Sequence, residues 1–474
     1  MAVKQNDKYP DEKIITIITD YLKETEWDGT PVVNQLSPEK LKKKIDLTLN
    51  PKGCTLDELY QFIDSYLKYS VRTGHKQFFN QFWSGFTLPG FLGDLFTSLT
   101  NTSMYTYEAA PVATLIETFL IQKMGALIGY SSPDGLFGTG GSNGNLMGMM
   151  IARNRMYPDL KKKGVQSGQN CVAFVSDQAH YSFDKAANIL GIGTDQVIKV
   201  TSDEQGRMIP EELDRMIRKT KESGRTPFFI AATAGTTVKG AFDPCDKISK
   251  IAQQYKIWFH VDGSLGGSVL LSPKHRHMLK GCEGSDSFVW NPHKMMGLPL
   301  ICSAFIVKKK GNLARAFSTS GADYLFHDAS STYDLGLKSL QCGRKVDALK
   351  LWLSWKYYGD EVYAERIDKL FELSAYAEKI INAHPNLELM AYRSSVNICF
   401  RYSSPGIHDL NIFNLRLRED LAKRGKSMVN YAHIGKDLAI RFVIFNHESE
   451  KEDIDHFFDN VLQTALSLQS KSNI

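Results

Sequence analysis

The middle of the chain carries short, continuous hydrophobic runs, separated by segments in which apolar residues recur with helical spacing. Two such helical segments lie at 210–223 and 245–255. Continuous apolar strands that alternate with helices are typical of a mostly parallel sheet covered on both faces. The pattern therefore predicts a large α/β domain over 106–360. Its predicted strands lie at 171–176, 196–201, 228–233, 257–262, 287–290 and 303–308.

The two ends of the chain follow other patterns. Apolar residues at 14–22 and 56–67 recur with helical spacing, and a lysine-rich stretch at 37–44 connects them. We expect residues 1–105 to form a helical, dimer-forming segment that lies across a larger body or a partner subunit. From residue 361 onward, helices alternate with pairs of short strands, which predicts a smaller α+β domain over 361–474.

Composition and charge narrow the class of protein. A chain of 474 residues is too long for one ordinary compact core, so we expect two or three domains. The formal charge of +5 is small, and no aromatic residues interleave the short basic runs, so we expect no nucleic-acid partner. We find no signal sequence and no stretch of membrane-spanning length, and expect no membrane association. Seven scattered cysteines without zinc-site spacing indicate reduced thiols, no metal and a cytoplasmic location.

The first candidate for chemistry is Lys294, which follows the predicted strand at 287–290 in the run Asn-Pro-His-Lys. Open α/β sheets bind ligands at the carboxyl ends of their strands. Taken alone, a lysine after an Asn-Pro turn is more often solvated. Asp262 ends the preceding strand, and its carboxylate would keep a pyridine nitrogen protonated, although it could also cap a helix.

Three further features end or follow apolar runs. The glycine-rich segment at 137–145 precedes a helical pattern and could bind phosphate through backbone amides, or form only a tight turn. His180 follows the strand at 171–176 and could lie on a pyridine ring, although a lone histidine there is usually structural. Thr233 ends another strand, within a threonine-rich turn. Together these features predict one ligand site at one edge of the sheet.

These motifs resemble the group II pyridoxal-phosphate-dependent amino-acid decarboxylases, in the branch of the glutamate and cysteine sulfinate decarboxylases. The resemblance covers nearly the whole chain from about residue 50 onward. It implies the aspartate-aminotransferase-like fold (fold type I), with a mostly parallel seven-stranded sheet and a smaller C-terminal α+β domain. It also implies pyridoxal 5'-phosphate as the cofactor, an amino-acid substrate and a homodimer with its active site at the subunit interface. The matching stretches are 78–81, 105–112, 232–238, 240–244, 274–277, 290–297 and 341–344.

The resemblance implies a role for each position of this chain that matches one of the family's motifs. Lys294 would carry the cofactor as a Schiff base, Asp262 would pair with the pyridine nitrogen, and His180 would stack on the ring. A substrate carboxylate would meet Arg441, whose guanidinium fork suits both oxygens. Gln81 and Trp83 would line the substrate pocket. The further cofactor contacts implied are Ser142, Asn143, Thr233, Ser264, Asn291 and His293.

Three departures from the family's pattern concern substrate and product. The residues after Asp262 are Gly-Ser-Leu rather than Ala-Ala-Trp, so the ring face away from substrate is packed differently. Trp83 is bulky and should shorten the substrate pocket. The catalytic loop between Phe326 and Gln341 is about three residues shorter, and Tyr333 is its only tyrosine. In the family, a loop tyrosine protonates the carbanion.

Three functions remain open at this stage. The first is α-decarboxylation of an acidic amino acid (aspartate or cysteine sulfinate, with glutamate next) to the amine and carbon dioxide. The second is another pyridoxal-phosphate lyase, or decarboxylation with oxidative deamination to an aldehyde, if the loop presents no proton donor. The third is a non-enzymatic relative, which the presence of Lys294, Asp262 and His180 argues against.

Overall fold

The computed structural model describes residues 11–26, 29–164, 170–318, 321, 324–326 and 333–471. The chain divides into two compact units. Unit 1 contains the described residues up to Gly85, residues 376–390 and those from Cys399 onward. Unit 2 consists of Phe86–Ala375 and Ala391–Ile398. This division differs from the predicted boundaries after residues 105 and 360.

The described helices include all those predicted. Helix α12 is interrupted at Gly359, whose φ of 71° and ψ of −176° are not helical. The helices are α1 (Glu12–Glu26), α2 (Pro38–Lys42), α3 (Leu56–Tyr69), α4 (Leu88–Thr100), α5 (Pro111–Ile128), α6 (Gly141–Met156), α7 (Leu160–Lys163), α8 (Ser182–Ile189), α9 (Pro210–Glu222), α10 (Cys245–Tyr255), α11 (Asn312–Phe317), α12 (Ala348–Ala383), α13 (Leu410–Lys423) and α14 (Lys451–Lys471). Short 3-10 segments lie at Thr194–Gln196, Gly266–Leu271, Arg276–Leu279, Cys282–Gly284 and Leu335–Lys338.

The strands form two sheets, one of seven strands and one of five. The seven-stranded sheet has the order β2-β8-β7-β6-β5-β3-β4, and β8 is antiparallel to both of its neighbours. The predicted mostly parallel seven-stranded sheet is therefore confirmed. The strands are β1 (Phe78–Phe79), β2 (Asp134–Gly138), β3 (Cys171–Ser176), β4 (Val197–Val200), β5 (Thr226–Thr233), β6 (Trp258–Gly263), β7 (Ser287–Trp290), β8 (Ser303–Val307), β9 (Leu387–Leu389), β10 (Asn397–Tyr402), β11 (Met428–Ile434) and β12 (Asp437–Val443).

Strand β2 was missing from the predicted strands, although it leads directly into the glycine-rich segment. Its sequence, Asp-Gly-Leu-Phe-Gly, contains residues that are poor strand formers. All five residues are buried, and they pair with β8. Tertiary packing thus overrides the local preference. The following helix α6 begins at Gly141, five residues before the predicted start at Leu146.

Unit 1 contains the five-stranded sheet, in the order β1-β11-β12-β10-β9, apart from the first two residues of β10. Strand β1 pairs in parallel with β11, with Phe78 opposite Met428 and Phe79 opposite Val429. The N-terminal segment thus adds a strand to a sheet built mainly from the C-terminal part of the chain. This pairing, between residues some 350 positions apart, explains why the two ends of the chain form one unit.

Helix α5 corrects one sequence expectation, because its 18 residues are long and apolar enough to span a membrane. Length and composition alone are weak evidence, since core helices share them. Of this helix, 44% is buried inside the structure, including the carboxylate of Glu117, which pairs with Arg344. These contacts are those of a core helix packed on β2.

None of the seven cysteines forms a disulfide, as predicted, and five of them are buried. The exposed ones are Cys54 and Cys342. Among the described residues, no group of three or more His, Cys, Asp or Glu side chains is placed to hold a metal ion.

Candidate active site

Asp262 lies near the end of β6, where its side chain is almost fully buried. Its Oδ1 accepts a hydrogen bond from the backbone N–H of Ser264 (3.1 Å), and its Oδ2 accepts one from Nδ2 of Asn145 (2.8 Å). Burial by itself would raise the pKa of Asp262, but hydrogen bonding by Ser264 and Asn145 and the charge of Lys294 lower it below its usual value. Asp262 is therefore a buried anion.

Lys294 lies in a turn beyond β7, the strand next to β6 in the sheet. Its backbone N–H donates to the carbonyl of Asn291 (2.9 Å), and its carbonyl accepts from Gly297 (2.9 Å). The side chain is half-buried, unlike that of a fully solvated lysine. Its charge acts on both Asp262 and His180, so the structure brings these three groups into one electrostatic neighbourhood.

His180 lies between β3 and α8, with its imidazole half-buried. Its Nδ1 accepts a hydrogen bond from the backbone N–H of Ser182 (3.2 Å), which leaves the proton of a neutral ring on Nε2. Burial lowers the pKa of His180, while the charge of Asp262 raises it in part. A neutral ring can lie flat on an aromatic cofactor.

The glycine-rich segment turns from β2 into α6 at Gly140, whose φ of 120° favours glycine. A Cβ on Gly141 would lie 2.3 Å from Oγ of Ser264 and 3.0 Å from Nδ2 of Asn291. Glycine therefore allows the loop to approach two predicted cofactor residues. Ser142 is exposed and Asn143 half-buried, and both lie in the first turn of α6, where backbone N–H groups lack helical partners.

Three buried polar atoms at this edge have no hydrogen-bond partner among the described residues. They are Oγ1 of Thr233, Oγ of Ser264 and Oδ1 of Asn143. Such atoms are costly in a folded protein unless a ligand or water binds them. The residues present fit a phosphorylated pyridine: the start of α6 would hold its phosphate, Asp262 its ring nitrogen and Lys294 its aldehyde.

His293 and Asn291, predicted as further cofactor contacts, are both buried. Nδ1 of His293 lies 2.6 Å from the carbonyl oxygen of Cys302, and Oδ1 of Asn291 accepts from Oγ of Ser303 (2.6 Å). Burial lowers the pKa of His293 to about 4, so the ring is neutral. These contacts tie the Lys294 turn to the start of β8.

Sequence reasoning did not identify Asn145, His260 or Asp243. Asn145 links Asp262 to His260, whose Nε2 lies 2.9 Å from Oδ1 of Asn145. Asp243 accepts the backbone N–H of Thr233 through Oδ2 (2.7 Å), and burial raises its pKa to about 7. The polar His260 within the apolar strand Trp258–Gly263 was the one available signal.

Contacts with other segments hold the C-terminal end of the predicted catalytic loop, from Tyr333 onward. Residues 327–332 of the loop lie outside the described part of the chain. Tyr333 is exposed, and its ring centroid lies 5.8 Å from that of Tyr107. The backbone N–H of Tyr107 donates to Oδ1 of Asp334 (3.0 Å). Lys338 pairs with Asp134 of β2 (3.0 Å). These contacts fix the end of the loop to the segments around β2.

The predicted substrate residues all belong to unit 1. Arg441 on β12 is buried; its Nη2 donates to the carbonyl of Asn80 (3.3 Å), and its guanidinium lies 4.7 Å from the ring centroid of Phe82. Gln81 and Trp83, on either side of Phe82, are half-buried. Arg441 and the 80–83 segment are thus brought together within this unit.

Comparison with known proteins places the chain in a family. Residues 38–403 match the pyridoxal-dependent decarboxylase conserved domain. Cysteine sulfinic acid decarboxylase of Mus musculus is 41% identical over 433 residues, which is 88% of each chain. Acidic amino acid decarboxylase GADL1 of Bos taurus is 37% identical, over 97% of this chain and 91% of the relative.

Solved structures agree with this assignment. The crystal structure of mouse CSAD has a TM-score of 0.91 and 37% identity, covering 96% of this chain and 99% of that one. The structure of Oryza sativa TDC with PLP and tryptamine, at 23% identity, shares the fold with a TM-score of 0.89. The predicted fold type I architecture and the predicted cofactor are confirmed. The chain belongs to the pyridoxal-dependent decarboxylases and is a pyridoxal 5'-phosphate-dependent amino-acid decarboxylase.

Proposed function

We propose that this enzyme removes the α-carboxylate of a small acidic L-amino acid, aspartate or cysteine sulfinate, with glutamate as the next candidate. The observation that carries the proposal is the sheet edge at which buried Asp262 lies opposite Thr233, one strand away from the turn that contains Lys294. The relatives named for cysteine sulfinic acid and for acidic amino acids support the substrate class.

Each residue of the site has a distinct task in this proposal. Lys294 would hold the cofactor covalently through its side-chain amine. Asp262 keeps the proton on the ring nitrogen, because an anion beside it stabilises the charged form. His180 orients the ring from one face. The hydroxyls of Thr233 and Ser264 donate to the bound cofactor, and the first turn of α6 holds its phosphate.

When bound, pyridoxal phosphate supplies an electron sink for the electrons of the broken carbon–carboxylate bond. The protein would select the bond that breaks by the orientation in which it holds the substrate. Arg441 would bind the acidic side group of the substrate, or its carboxylate, through a charge-assisted pair. Trp83 would limit the substrate to a short side chain.

The amine product requires a proton at the α-carbon, and Tyr333 is the tyrosine available for this within the loop. A second product is possible on the same scaffold. If no group delivers that proton, decarboxylation would be coupled to oxidation by molecular oxygen. With one water consumed, the products would be carbon dioxide, an aldehyde, ammonia and hydrogen peroxide. The short loop favours this aldehyde-forming reaction as the second candidate, because a shorter loop changes where Tyr333 is presented.

A substrate panel tests the proposal. Purified enzyme with pyridoxal phosphate is incubated with aspartate, cysteine sulfinate, glutamate and, as a control, phenylalanine, and carbon dioxide, amine, aldehyde and peroxide are measured. We expect equal carbon dioxide and amine from at least one acidic substrate. Turnover confined to phenylalanine would overturn the substrate class. Equal carbon dioxide, aldehyde and peroxide would replace the first product with the second.

Three variants test the roles of Lys294 and Arg441. Borohydride reduction should fix the cofactor on the peptide that contains Lys294, and Lys294→Ala should lose both this adduct and turnover. Arg441→Met should lower kcat/KM for the acidic substrate roughly ten- to a hundredfold, because one charge-assisted hydrogen-bonded pair is lost. Arg441→Lys keeps the charge and should lose less. Label on another lysine, or unchanged kinetics in Arg441→Met, would contradict these roles.

We also propose that the enzyme is a cytoplasmic homodimer. Helices α4 and α5 of unit 2 each expose a row of large apolar side chains, which is unusual for a free surface. The absence of disulfides among the seven cysteines of the enzyme suits a reducing compartment. The exposed residues of the two rows are Leu88, Leu95, Phe96, Leu99, Val112, Leu115 and Phe119.

The oligomer is tested by light scattering on the purified protein. Leu99→Glu with Phe119→Glu should convert a dimer into a monomer and abolish turnover, since the expected active site lies at the subunit interface. Ile189→Glu is the matched control, because Ile189 is also exposed (68%) but lies on α8. A monomeric wild type, or a dimer that survives the double substitution, would contradict the proposed interface.

A further inference from the structure

A continuous set of buried hydrogen bonds leads from β7 to Asp262. Nε1 of Trp258 donates to Oγ of Ser287 (2.9 Å), and Nδ1 of His260 lies 2.8 Å from the same Oγ. On the other side of the ring, Nε2 of His260 lies 2.9 Å from Oδ1 of Asn145. Nδ2 of Asn145 then donates to Asp262. All five side chains are buried.

The chemistry of these groups fixes the direction of each hydrogen bond. A carboxylate only accepts, so the nitrogen of the Asn145 amide faces Asp262 and its oxygen faces His260. That oxygen also only accepts, so Nε2 of His260 carries a proton. Nδ1 then accepts the hydroxyl proton of Ser287, which in turn accepts from the indole. A neutral imidazole with its proton on Nε2 therefore satisfies every member of the set.

Packing holds the imidazole in this orientation. His260 is fully buried and stacks on Phe229, with ring centroids 5.5 Å apart and an interplanar angle of 28°. On the side of α6, a Cβ on Gly148 would lie 2.9 Å from Nδ1 of His260. Asn145 lies on the same helix, whose first turn contains the predicted phosphate site. The ring thus lies between Phe229 of β5 and helix α6.

The charge state agrees with this arrangement. Burial lowers the pKa of His260 to about 4, although the charge of Asp262 raises it in part. The ring is therefore neutral over the range in which the enzyme would work. It acts on Asp262 through a fixed hydrogen-bond direction and not as a mobile charge.

We propose that His260 is a positioning residue that acts through Asn145 to hold the Asp262 carboxylate in the orientation that binds the cofactor's ring nitrogen. Without the imidazole, the Asn145 amide could turn and present its oxygen to Asp262, which would repel the carboxylate. This inference rests on the proposed role of Asp262 in cofactor binding, and it adds two residues to that site.

The test measures binding of pyridoxal phosphate to the purified apoenzyme, with no amino acid present. Dissociation constants and absorption spectra of the bound cofactor are compared for wild type, His260→Phe, His260→Gln and Asn145→Ala. His260→Phe and Asn145→Ala should weaken binding roughly ten- to a hundredfold and shift the absorption maximum, because a hydrogen bond to a charged group is lost or misdirected. His260→Gln keeps an N–H donor and should stay within about threefold of wild type.

The control is His275→Phe. His275 is partly buried in the same unit, where it stacks on Phe371 (3.9 Å) and lies 3.7 Å from Asp368. This variant should leave cofactor affinity and spectrum unchanged. If His260→Phe does not fold, Asn145→Ala and His260→Gln carry the comparison. Wild-type affinity and spectrum in Asn145→Ala would overturn the proposal.

A double-mutant cycle separates action through Asn145 from a general packing effect. In the Asn145→Ala background, His260→Phe should change the dissociation constant less than about twofold. A full, independent loss there would overturn the proposal. Because no substrate is used, this outcome is distinct from failure of the proposed function. An enzyme that binds cofactor normally but decarboxylates no acidic amino acid would refute only the substrate class.

Discussion

Arg344 and Glu117 form a buried ion pair, in which Nη1 of Arg344 lies 2.8 Å from Oε1 and 3.1 Å from Oε2 of Glu117. The same guanidinium donates to the carbonyls of Phe137 (2.8 Å) and Met104 (3.3 Å). Phe137 belongs to β2 and is the first residue of the glycine-rich segment. The pair therefore joins α5, the end of the catalytic loop and the strand that leads to the predicted phosphate site.

Arg344→Met should destabilise the enzyme by about 3–5 kcal/mol, because it leaves a buried carboxylate without its partner. The free energy of unfolding is measured by denaturant titration. The double variant Arg344→Met with Glu117→Leu should recover most of the loss, since it removes both charges. A double variant that is no more stable than the single one would show that the carbonyl contacts, rather than the buried charge, account for the effect.

Thr233→Val and Ser264→Ala should affect apoenzyme and holoenzyme differently. Without cofactor, both hydroxyls are buried and have no partner in the described structure, so their removal should leave the apoenzyme Tm unchanged or raise it. With cofactor bound, each variant should lose a hydrogen bond. The gain in Tm on adding pyridoxal phosphate should therefore be smaller than in wild type, as measured by thermal unfolding. An equal gain would mean that these hydroxyls do not contact the cofactor.

Gly141→Ala should weaken cofactor binding, because its Cβ would lie 2.3 Å from Oγ of Ser264. The loop or Ser264 must move, and both are predicted cofactor contacts. Titration of the apoenzyme with pyridoxal phosphate measures the effect. Gly343→Ala is a suitable control, since the nearest atom to its Cβ would be Oγ of Ser103 at 3.9 Å. Similar affinities in the two variants would argue against a close approach of the loop to the cofactor.

Asp243 predicts a pH dependence of stability. Burial raises its pKa from 3.8 to about 7, so between these values the unfolded chain releases a proton that the folded enzyme keeps. The contribution of Asp243 to the free energy of unfolding is fully present below about pH 4 and is lost as pH rises towards 7. The asparagine side chain of Asp243→Asn cannot ionise, so this variant should not lose stability through position 243 as pH rises. Free energies of unfolding at pH 5 and 8 test this. A wild type and variant that change in parallel would contradict it.

Sequence reasoning located the elements of unit 2 well, because buried strands are continuous apolar runs. It also located Lys294, Asp262, His180 and Thr233, since each ends or follows such a run and parallel strands end at one edge. In the structure, Thr233 is the register neighbour of Asp262. The residues that surround them were not predictable, because Asn145 and His260 contact each other across 115 positions of sequence.

The amino-acid sequence by itself therefore determined the strand and helix pattern, the residue types at the strand ends and the family to which they belong. Tertiary structure alone decided that β2 is a strand, that the N-terminal segment completes the C-terminal sheet, and that His260 contacts Asn145, which donates to Asp262. The physical reason is the same in each case. These features depend on burial and hydrogen bonds between distant segments, and local residue preferences carry no information about such partners.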